Sequence, residues 1–209
     1  MAKLLLLTGG SHPYEETTPV ISEFLTEAGH DLDVSECASE LEGDLSGYDA
    51  IVFNSLRQEP TDNDLNDAQR SGFKDYVAGG GGLVSVHISA ASTPDWPEMK
   101  KITGGGWILG ESWHPPFGWF KVHMSNPDHP LAKDVEPFWT YDECYCGLDI
   151  QPGIDVFMHG IVKDEERPLG WSFNYGDGMV ANIALGHAGS SALHPQFRQL
   201  ILNSVDYVC

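Results

Sequence analysis

Basic residues are scarce in this chain. Its 209 residues include 11 Lys and Arg against 31 Asp and Glu, which gives a formal net charge of −20 at pH 7. Proteins that bind nucleic acid or anionic lipid headgroups do so through clustered Lys and Arg side chains. We therefore expect neither a nucleic-acid partner nor a membrane-surface partner.

Long apolar runs are also missing. No segment approaches the roughly 18 consecutive apolar residues of a membrane span. Leu4 to Leu7 follow Lys3, as the apolar core of a secretion signal would, but this run is too short, and Gly9 and Gly10 follow at once. We therefore expect a cytoplasmic protein.

Cysteine is rare as well. The chain has only Cys37, Cys144, Cys146 and Cys209. Their number and irregular spacing do not suit a disulfide framework in a chain of this length. Cys144 and Cys146 lack the C-x-x-C spacing and the second pair of a zinc knuckle. We interpret this pair as two thiols beside a strand.

The chain does contain alternating apolar strands and amphipathic helices. Up to residue 87 their order is β-α-β-β-α-β, which indicates an open, mostly parallel sheet covered by helices on both faces. The predicted strands cover residues 3–8, 31–35, 50–54, 83–87, 120–124, 156–162, 169–175 and 179–185, and the predicted helices cover residues 17–28, 64–78 and 196–208. With no linker or repeat, residues 1–209 are predicted to form a single domain.

A loop rich in Gly, Pro and Trp interrupts this pattern at about residues 93–119. Loops of this length inside a compact domain are usually functional or disordered. Because this one is rich in aromatic residues, we predict an ordered lid.

Three histidines mark the predicted carboxyl edge of the sheet, where ligands bind in folds of this type. His12, His87 and His187 each lie at or just after the end of a predicted strand. If these strands are neighbours, the three imidazoles converge. An imidazole titrates near neutrality and can act as acid, base or metal ligand. A single histidine at such a position is more often a hydrogen-bonded structural residue, but three together indicate a site.

The segment from Gly79 to Ser92 is similar to a strand-to-helix elbow, a turn that exposes one side chain above a sheet. Hydrolases and amidotransferases carry Ser or Cys there, whereas this chain offers His87, Ile88 and Ser89. Ser89 could be a nucleophile with His187 as its base, although the flanking glycines of G-x-S-x-G are missing. Its alternative role is to cap the following helix.

Two carboxylates follow an aromatic stretch. Asp142, Glu143 and Tyr145 come directly after residues 138–141, which read Phe-Trp-Thr-Tyr. Carboxylates beside aromatic rings can orient a histidine, act as a general base or bind sugar hydroxyls. The alternative is that they belong to the solvated acidic surface.

Tryptophan is concentrated in the same part of the chain. Such rings can form a stacking platform for a small polar molecule such as a sugar, or they can be core residues. The residues concerned are Trp107, Trp113, Trp119 and Trp139.

Several short motifs occur together in a familiar order. They are Gly80 to His87, Gly104 to Trp107 with His114, Asn126 to Pro130, Tyr141 to Tyr145, Pro168 to Trp171, Tyr175 to Val180, Leu185 to His187, and a terminal helix that ends Asn203 to Tyr207. With these motifs the chain resembles the ThuA-like (trehalose utilisation) family, a branch of the class I glutamine amidotransferase-like superfamily.

The resemblance implies a flavodoxin-like, three-layer α/β sandwich that has lost the ancestral cysteine nucleophile. His187 is then the counterpart of the amidotransferase triad histidine, and His87 lies where the cysteine would be. His114 matches the loop histidine, and members are linked to the use of trehalose and related disaccharides. One departure is that Ala90 to Ser92 replace a second histidine carried by some relatives, which weakens a metal site based on that pair.

Residues and resemblance together predict a carbohydrate-related enzyme that acts on a disaccharide, glycoside or keto-sugar by acid–base chemistry, and not an active glutamine amidotransferase. The catalytic residues would be His87, Glu143 and His187. The predicted substrate-binding residues are His12, Ser89, Trp113, His114, Asp142 and Tyr145.

Two alternatives stay open. The chain could be a non-catalytic sugar-binding or regulatory module, or His12, His87 and His187 could hold a divalent metal such as zinc, since neutral imidazoles suit such ions. The expected partner is a small carbohydrate, with assembly into a homo-oligomer as a further option.

The excess of acidic residues generates a first prediction. The excess of acidic residues is either an adaptation to high salt or an ordinary acidic exterior. At this net charge the carboxylates repel one another, and dissolved salt screens that repulsion. The high-salt interpretation predicts that the thermal midpoint keeps rising as KCl is added well beyond physiological concentration. A midpoint that levels off near physiological salt contradicts it.

Overall fold

The computed structural model describes residues 1–57, 64–91 and 95–209. Strands and helices alternate along the first half of the chain, and strands dominate the second half. The strands are β1 (Lys3–Gly10), β2 (Asp31–Ser35), β3 (Ala50–Leu56), β4 (Gly82–Val86), β5 (Gly105–Gly106), β6 (Gly118–Met124), β7 (Phe138–Asp142), β8 (Asp149–Ile150), β9 (Asp155–Val162), β10 (Glu165–Tyr175) and β11 (Gly178–Ile183). The α-helices are α1 (Tyr14–Glu27), α2 (Asp67–Ala78), α3 (Glu98–Thr103), α4 (Gly189–Ala192) and α5 (Pro195–Val208).

Nine of these strands form one sheet in the order β2-β1-β3-β4-β11-β10-β9-β6-β7. The strands from β2 to β11 are parallel, and β10, β9, β6 and β7 extend the sheet as antiparallel strands. β5 and β8 pair separately. The site-bearing loops predicted from the sequence therefore follow the parallel strands.

Helices cover both faces of the sheet, as predicted. β1 shows why, because Leu4 and Leu6 belong to one apolar core and Leu5 and Leu7 to the other. Successive side chains of a strand point to opposite faces, so a run of leucines requires cover on both sides. α1 and α5 pack over the first core, whereas α2 and α3 pack over the second.

Most predicted elements are present with shifted ends. α1 begins three residues earlier than predicted, and α2 begins at Asp67 because Asn66 and Gln69 form a reciprocal capping box there. β7 is an additional strand, in a stretch whose aromatic residues suggest binding. Its alternation of buried Phe138, Thr140 and Asp142 with exposed residues is the pattern of a half-buried strand.

The predicted lid has structure of its own. Within the described residues 95–119 it contains α3, β5 and the start of β6, and the part from Trp107 to Phe117 lies beside the histidines. Thr93 and Pro94, at the start of this prediction, and Ser92 of the elbow lie outside the described residues.

The described helices are short or amphipathic. Among them, none has both the length and the apolar character that a membrane span needs.

Gly10 allows β1 to run close to β3 before the chain turns towards His12. Its φ is +96°, and a Cβ atom there would lie 2.0 Å from the carbonyl oxygen of Leu56. A side chain would thus both strain the backbone and separate the two strands.

We therefore expect Gly10→Ala to lower the free energy of unfolding by roughly 2 kcal/mol or more, measured by urea denaturation. Gly29→Ala is the matched control, because Gly29 has a φ of +87° but an added Cβ would meet no neighbouring atom within 4 Å. Gly29→Ala introduces the backbone strain without the steric clash, so it should lower the free energy of unfolding by only about 1 kcal/mol. Equal losses in the two variants would show that the approach to Leu56 is not the constraint.

Candidate active site

Three histidines from distant parts of the chain meet at the carboxyl edge of the parallel strands. His12 follows β1, His87 follows β4, and His187 follows β11. Their ring centroids lie 5.1 to 5.2 Å from one another. The structure thus places these three residues as the strand order predicts.

His87 occupies the elbow. It has a φ of +54°, which is uncommon for a residue other than glycine, and its side chain is buried. A short 3-10 helix, His87–Ala90, follows in place of a longer helix. Backbone conformations of this sparsely populated kind cluster at functional sites.

Ser89, the alternative nucleophile of the elbow, is fully buried. Its hydroxyl accepts a hydrogen bond of 2.8 Å from the backbone N–H of Ser55, which belongs to β3. This bond ties the elbow to the neighbouring strand.

Glu143 completes the group. Its carboxylate oxygen Oε2 lies 3.2 Å from Nδ1 of His187 and 3.7 Å from Nε2 of His87, and Oε1 lies 3.5 Å from Nε2 of His114. One ligand atom from each of His12, His87, Glu143 and His187 lies within 4.8 Å of the others. We call these four residues the histidine–glutamate cluster.

Asp142 positions the cluster without joining it. Its buried carboxylate accepts hydrogen bonds from the backbone N–H groups of Gly186, His187 and Glu143, at 2.7, 3.1 and 2.8 Å. Burial raises the pKa of Asp142 to about 6, although these three donors favour its ionised form. Asp142 therefore fastens the end of β7 to the loop after β11.

Tyr145 contacts the cluster through His87. Its hydroxyl lies 2.5 Å from Nε2 of His87, and the two rings pack with centroids 4.8 Å apart. Burial raises the pKa of Tyr145 well above its ordinary value, so the hydroxyl keeps its proton. We assign the hydroxyl as the donor, which leaves the His87 proton on Nδ1.

The histidines differ in charge because their surroundings differ. Burial lowers the pKa of His12 to about 4 and holds the pKa of His87 well below its usual value. The hydrogen bond to Glu143 raises the pKa of His187 above its usual value, against the effect of burial. For Glu143, burial alone would raise the pKa, but the hydrogen bond and charges of His187 and His114 lower it overall. Of the three histidines, His187 is thus the one that keeps a proton to the highest pH.

Two ring nitrogens of the cluster are buried without a hydrogen-bond partner among the described residues. They are Nε2 of His12 and Nδ1 of His87. Buried polar atoms are normally paired, so Nε2 of His12 is open to a ligand, ion or water, whereas the protonated Nδ1 of His87 is open only to a hydrogen-bond acceptor. Neutral imidazoles and an ionised carboxylate are also the donor forms that zinc binds. The residues therefore fit a divalent metal.

Aromatic rings surround the cluster. Trp107 packs against Tyr145 and His114 at 4.7 and 5.8 Å between centroids, and Phe117 packs against His187 at 5.3 Å. Trp113 lies elsewhere, since its backbone bridges to Cys146 and its exposed indole lies 5.0 Å from the ammonium of Lys163. The structure thus brings His114 to the site but does not bring Trp113 to the cluster.

The sequence-based prediction did not include two aromatic residues near the site, Phe117 and Tyr141. Phe117 lies within the Pro116 to Trp119 stretch, and its neighbour Tyr141 stands out in the sequence only as part of an aromatic run. The alternation within β7 could have placed Tyr141 on the outer face, but no local signal places Phe117 against His187.

The cysteines offer no nucleophile at the elbow. All four thiols are free, and burial raises the pKa of Cys144 to about 12. A thiol with such a pKa is almost entirely protonated at neutral pH and reacts slowly.

Several known structures share this fold. A ThuA-like protein from Parabacteroides merdae superposes with a TM-score of 0.84 at 20% identity, covering 99% of this chain and 89% of that chain. A cytoplasmic protein from Salmonella typhimurium gives 0.72 at 16% identity, covering 99% of both chains. A β-galactosidase from Rahnella sp. R3 gives 0.69 at 14% identity, covering 98% of this chain but only 30% of the β-galactosidase.

At these identities the superpositions show the fold alone, and they confirm the predicted α/β sandwich with a mostly parallel central sheet. A search of curated proteins found no significant match. The family model for ThuA, described as trehalose utilisation, matches residues 3–208. The chain therefore belongs to the ThuA family.

Proposed function

We propose that this protein is a carbohydrate-active enzyme that acts on a disaccharide, glycoside or keto-sugar by acid–base chemistry at the histidine–glutamate cluster. The observation that carries the proposal is the pairing of His187 with Glu143 beside His12 and His87, two histidines whose pKa values are lowered by burial. Titratable groups whose pKa values are driven apart in one cleft are typical of acid–base sites.

Each residue of the site has a different proposed role. His187 is the proposed proton donor, because its pKa is the one that is raised among the three histidines, and Glu143 accepts its hydrogen bond and stabilises the charged form of the imidazole. Nε2 of His87 lies 3.1 Å from Nδ1 of His187 and can take up a proton from it when the hydrogen bond from the Tyr145 hydroxyl to the same atom is given up. His114, on the far side of Glu143, can orient the carboxylate or bind a sugar hydroxyl.

The substrate class follows from the family and from the walls of the site. The ThuA family is related to trehalose utilisation, and the aromatic rings of Trp107 and Phe117 suit the apolar faces of a sugar. A small carbohydrate is therefore the proposed ligand. The Salmonella neighbour is described as cytoplasmic, and we propose the same location for this protein.

The same cluster can hold a divalent metal such as zinc, for which the unpaired Nε2 of His12 is the specific support. His12, His87, Glu143 and His187 would be its ligands, one more than the three histidines predicted from the sequence. A bound metal would supply Lewis acidity and lower the pKa of a bound water. In that arrangement His114 and Tyr145 would remain as hydrogen-bonding side chains beside the metal.

A non-catalytic sugar-binding module is the alternative, because the elbow carries His87 where an amidotransferase has its nucleophile. The two functions differ in their products. A binding module gives a ligand-induced thermal shift without new products, whereas an enzyme gives products that mass spectrometry detects.

The catalytic assignment predicts the effect of His187→Ala. In a screen of disaccharides and keto-disaccharides, this variant and His87→Ala should lose about 100-fold or more in turnover, the usual contribution of one acid–base group. His30→Ala is the control, because His30 lies between α1 and β2, away from the cluster. With folding verified by circular dichroism, unchanged turnover in both cluster variants would disprove the assignment.

The metal proposal predicts that tag-free protein binds one zinc ion, measured by calorimetry and metal analysis. A protonated His187 cannot coordinate, and its pKa is raised, so the affinity should increase as the pH rises through and above the ordinary histidine value of about 6.5. His12→Ala should abolish tight binding.

His159→Ala is the matched control for this experiment. His159, His123 and Glu166 form a second, more exposed group of ligand-type residues on β9, β6 and β10. Retained binding in His159→Ala with loss in His12→Ala locates zinc in the cluster. The opposite result, or a stoichiometry near zero in the wild type, would reject zinc in the cluster.

A further inference from the structure

The outer face of β6 and β7 carries large aromatic side chains exposed to solvent. Phe120 and Phe138 point into the core, whereas the alternating positions Trp119, Trp139 and Tyr141 are 68%, 59% and 41% exposed. Exposed patches of large apolar side chains on soluble proteins commonly mark binding surfaces. This face is therefore a candidate for recognition.

Part of this face forms a continuous row of rings that ends at the cluster. Trp119 meets Tyr141 edge to face at 5.4 Å between centroids, and Tyr141 meets Phe117 edge to face at 4.7 Å. Phe117 in turn contacts His187 at 5.3 Å. We call Trp119, Tyr141 and Phe117 the aromatic row. The row runs from the exposed ring of Trp119 to His187, and each ring in it contacts the next.

A small cavity borders the outer end of the row. It has a volume of about 200 Å³, and its walls include Trp119, Pro115, Pro116 and Ile161. Sites for drug-sized ligands measure about 300–1,000 Å³. This cavity is smaller than that range, which suits part of a small molecule.

The chemistry of the row favours a neutral sugar. Flat aromatic faces offer apolar contact and little hydrogen bonding, which complements the C–H face of a pyranose ring. The net charge of −20 disfavours an acidic ligand. Lys121, two residues after Trp119 and opposite Trp139 in the register, adds hydrogen-bond donors for hydroxyl groups on the same face.

We propose that the aromatic row is a second sugar subsite, which holds the ring adjacent to the one at the histidine–glutamate cluster. The ligand is then a neutral disaccharide or a longer neutral glycan, since a monosaccharide at the cluster leaves the row empty. This inference rests on the proposed carbohydrate function. Beyond that function, the inference specifies that the site recognises two sugar rings, and it names the residues that recognise the second ring.

Titration calorimetry with glucose, trehalose, maltose, cellobiose and lactose tests this subsite on the protein as purified. We expect the wild type to bind at least one of the four disaccharides about tenfold more tightly than glucose. Trp119→Ala and Tyr141→Ala should reduce that disaccharide affinity about tenfold, to near the level of glucose, and leave glucose binding unchanged. A tenfold change corresponds to about 1.4 kcal/mol, a reasonable contribution for one stacked ring.

Trp139→Ala is the matched control. Trp139 is an exposed indole on the same face and the same strand as Tyr141, but it has no ring contact with the aromatic row among the described residues. Its removal should leave every affinity unchanged. Circular dichroism and thermal midpoints confirm that the variants are folded, which their solvent-exposed positions favour.

The outcomes separate this subsite from the proposed function. If glucose and the disaccharides bind equally, or Trp119→Ala and Tyr141→Ala bind the disaccharide as the wild type does, the subsite is rejected and the sugar function stands. If none of the five sugars binds, the subsite is rejected, and the proposed function is decided separately by the keto-sugars of the turnover screen. If light scattering shows a wild-type dimer that Trp119→Ala dissociates, with sugar binding unchanged, the face joins two copies of the chain and the subsite is rejected.

Discussion

One buried carboxylate holds the two halves of this site together. Asp142 ends an edge strand of the sheet, yet it accepts N–H bonds from Gly186 and His187 in the loop after a central parallel strand. Hydrogen bonds to a charged acceptor contribute about 1.5–3 kcal/mol each. Without this contact Glu143 would have no fixed position relative to His187, and the pKa difference within the cluster depends on that position.

The contact also explains the shape of the antiparallel strands. In the order of the sheet, β7 is separated from β11 by β10, β9 and β6, so those strands must curve back for Asp142 to reach Gly186. β10 contains two register irregularities, around Pro168, Gly170 and Trp171. Bulges of this kind bend a strand and increase its twist. The irregular register is therefore part of what assembles the site.

The sequence predicted the part of the site that depends on local rules. His12, His87 and His187 converge because the carboxyl ends of neighbouring parallel strands lie at one edge, which patterns of apolar residues reveal. The position of Glu143 depends on how far four antiparallel strands curve, and no short-range pattern encodes that. For the same reason Trp113 was expected at the site and lies against Lys163, while Phe117 contacts His187 instead.

The histidines of the site come from distant parts of the chain, which determines the stage of folding at which the site can form. His87 and His187 are separated by 100 positions in the chain, and Glu143 and His12 come from still other segments. Contacts between such distant segments form late in folding, because long loops must close before these contacts can stabilise the chain. During synthesis the ribosome must release the chain past His187 before the cluster can close. A nascent chain thus presents separate, ordinary histidines to the cell, and the perturbed proton affinities of the cluster arise only after translation has passed this point.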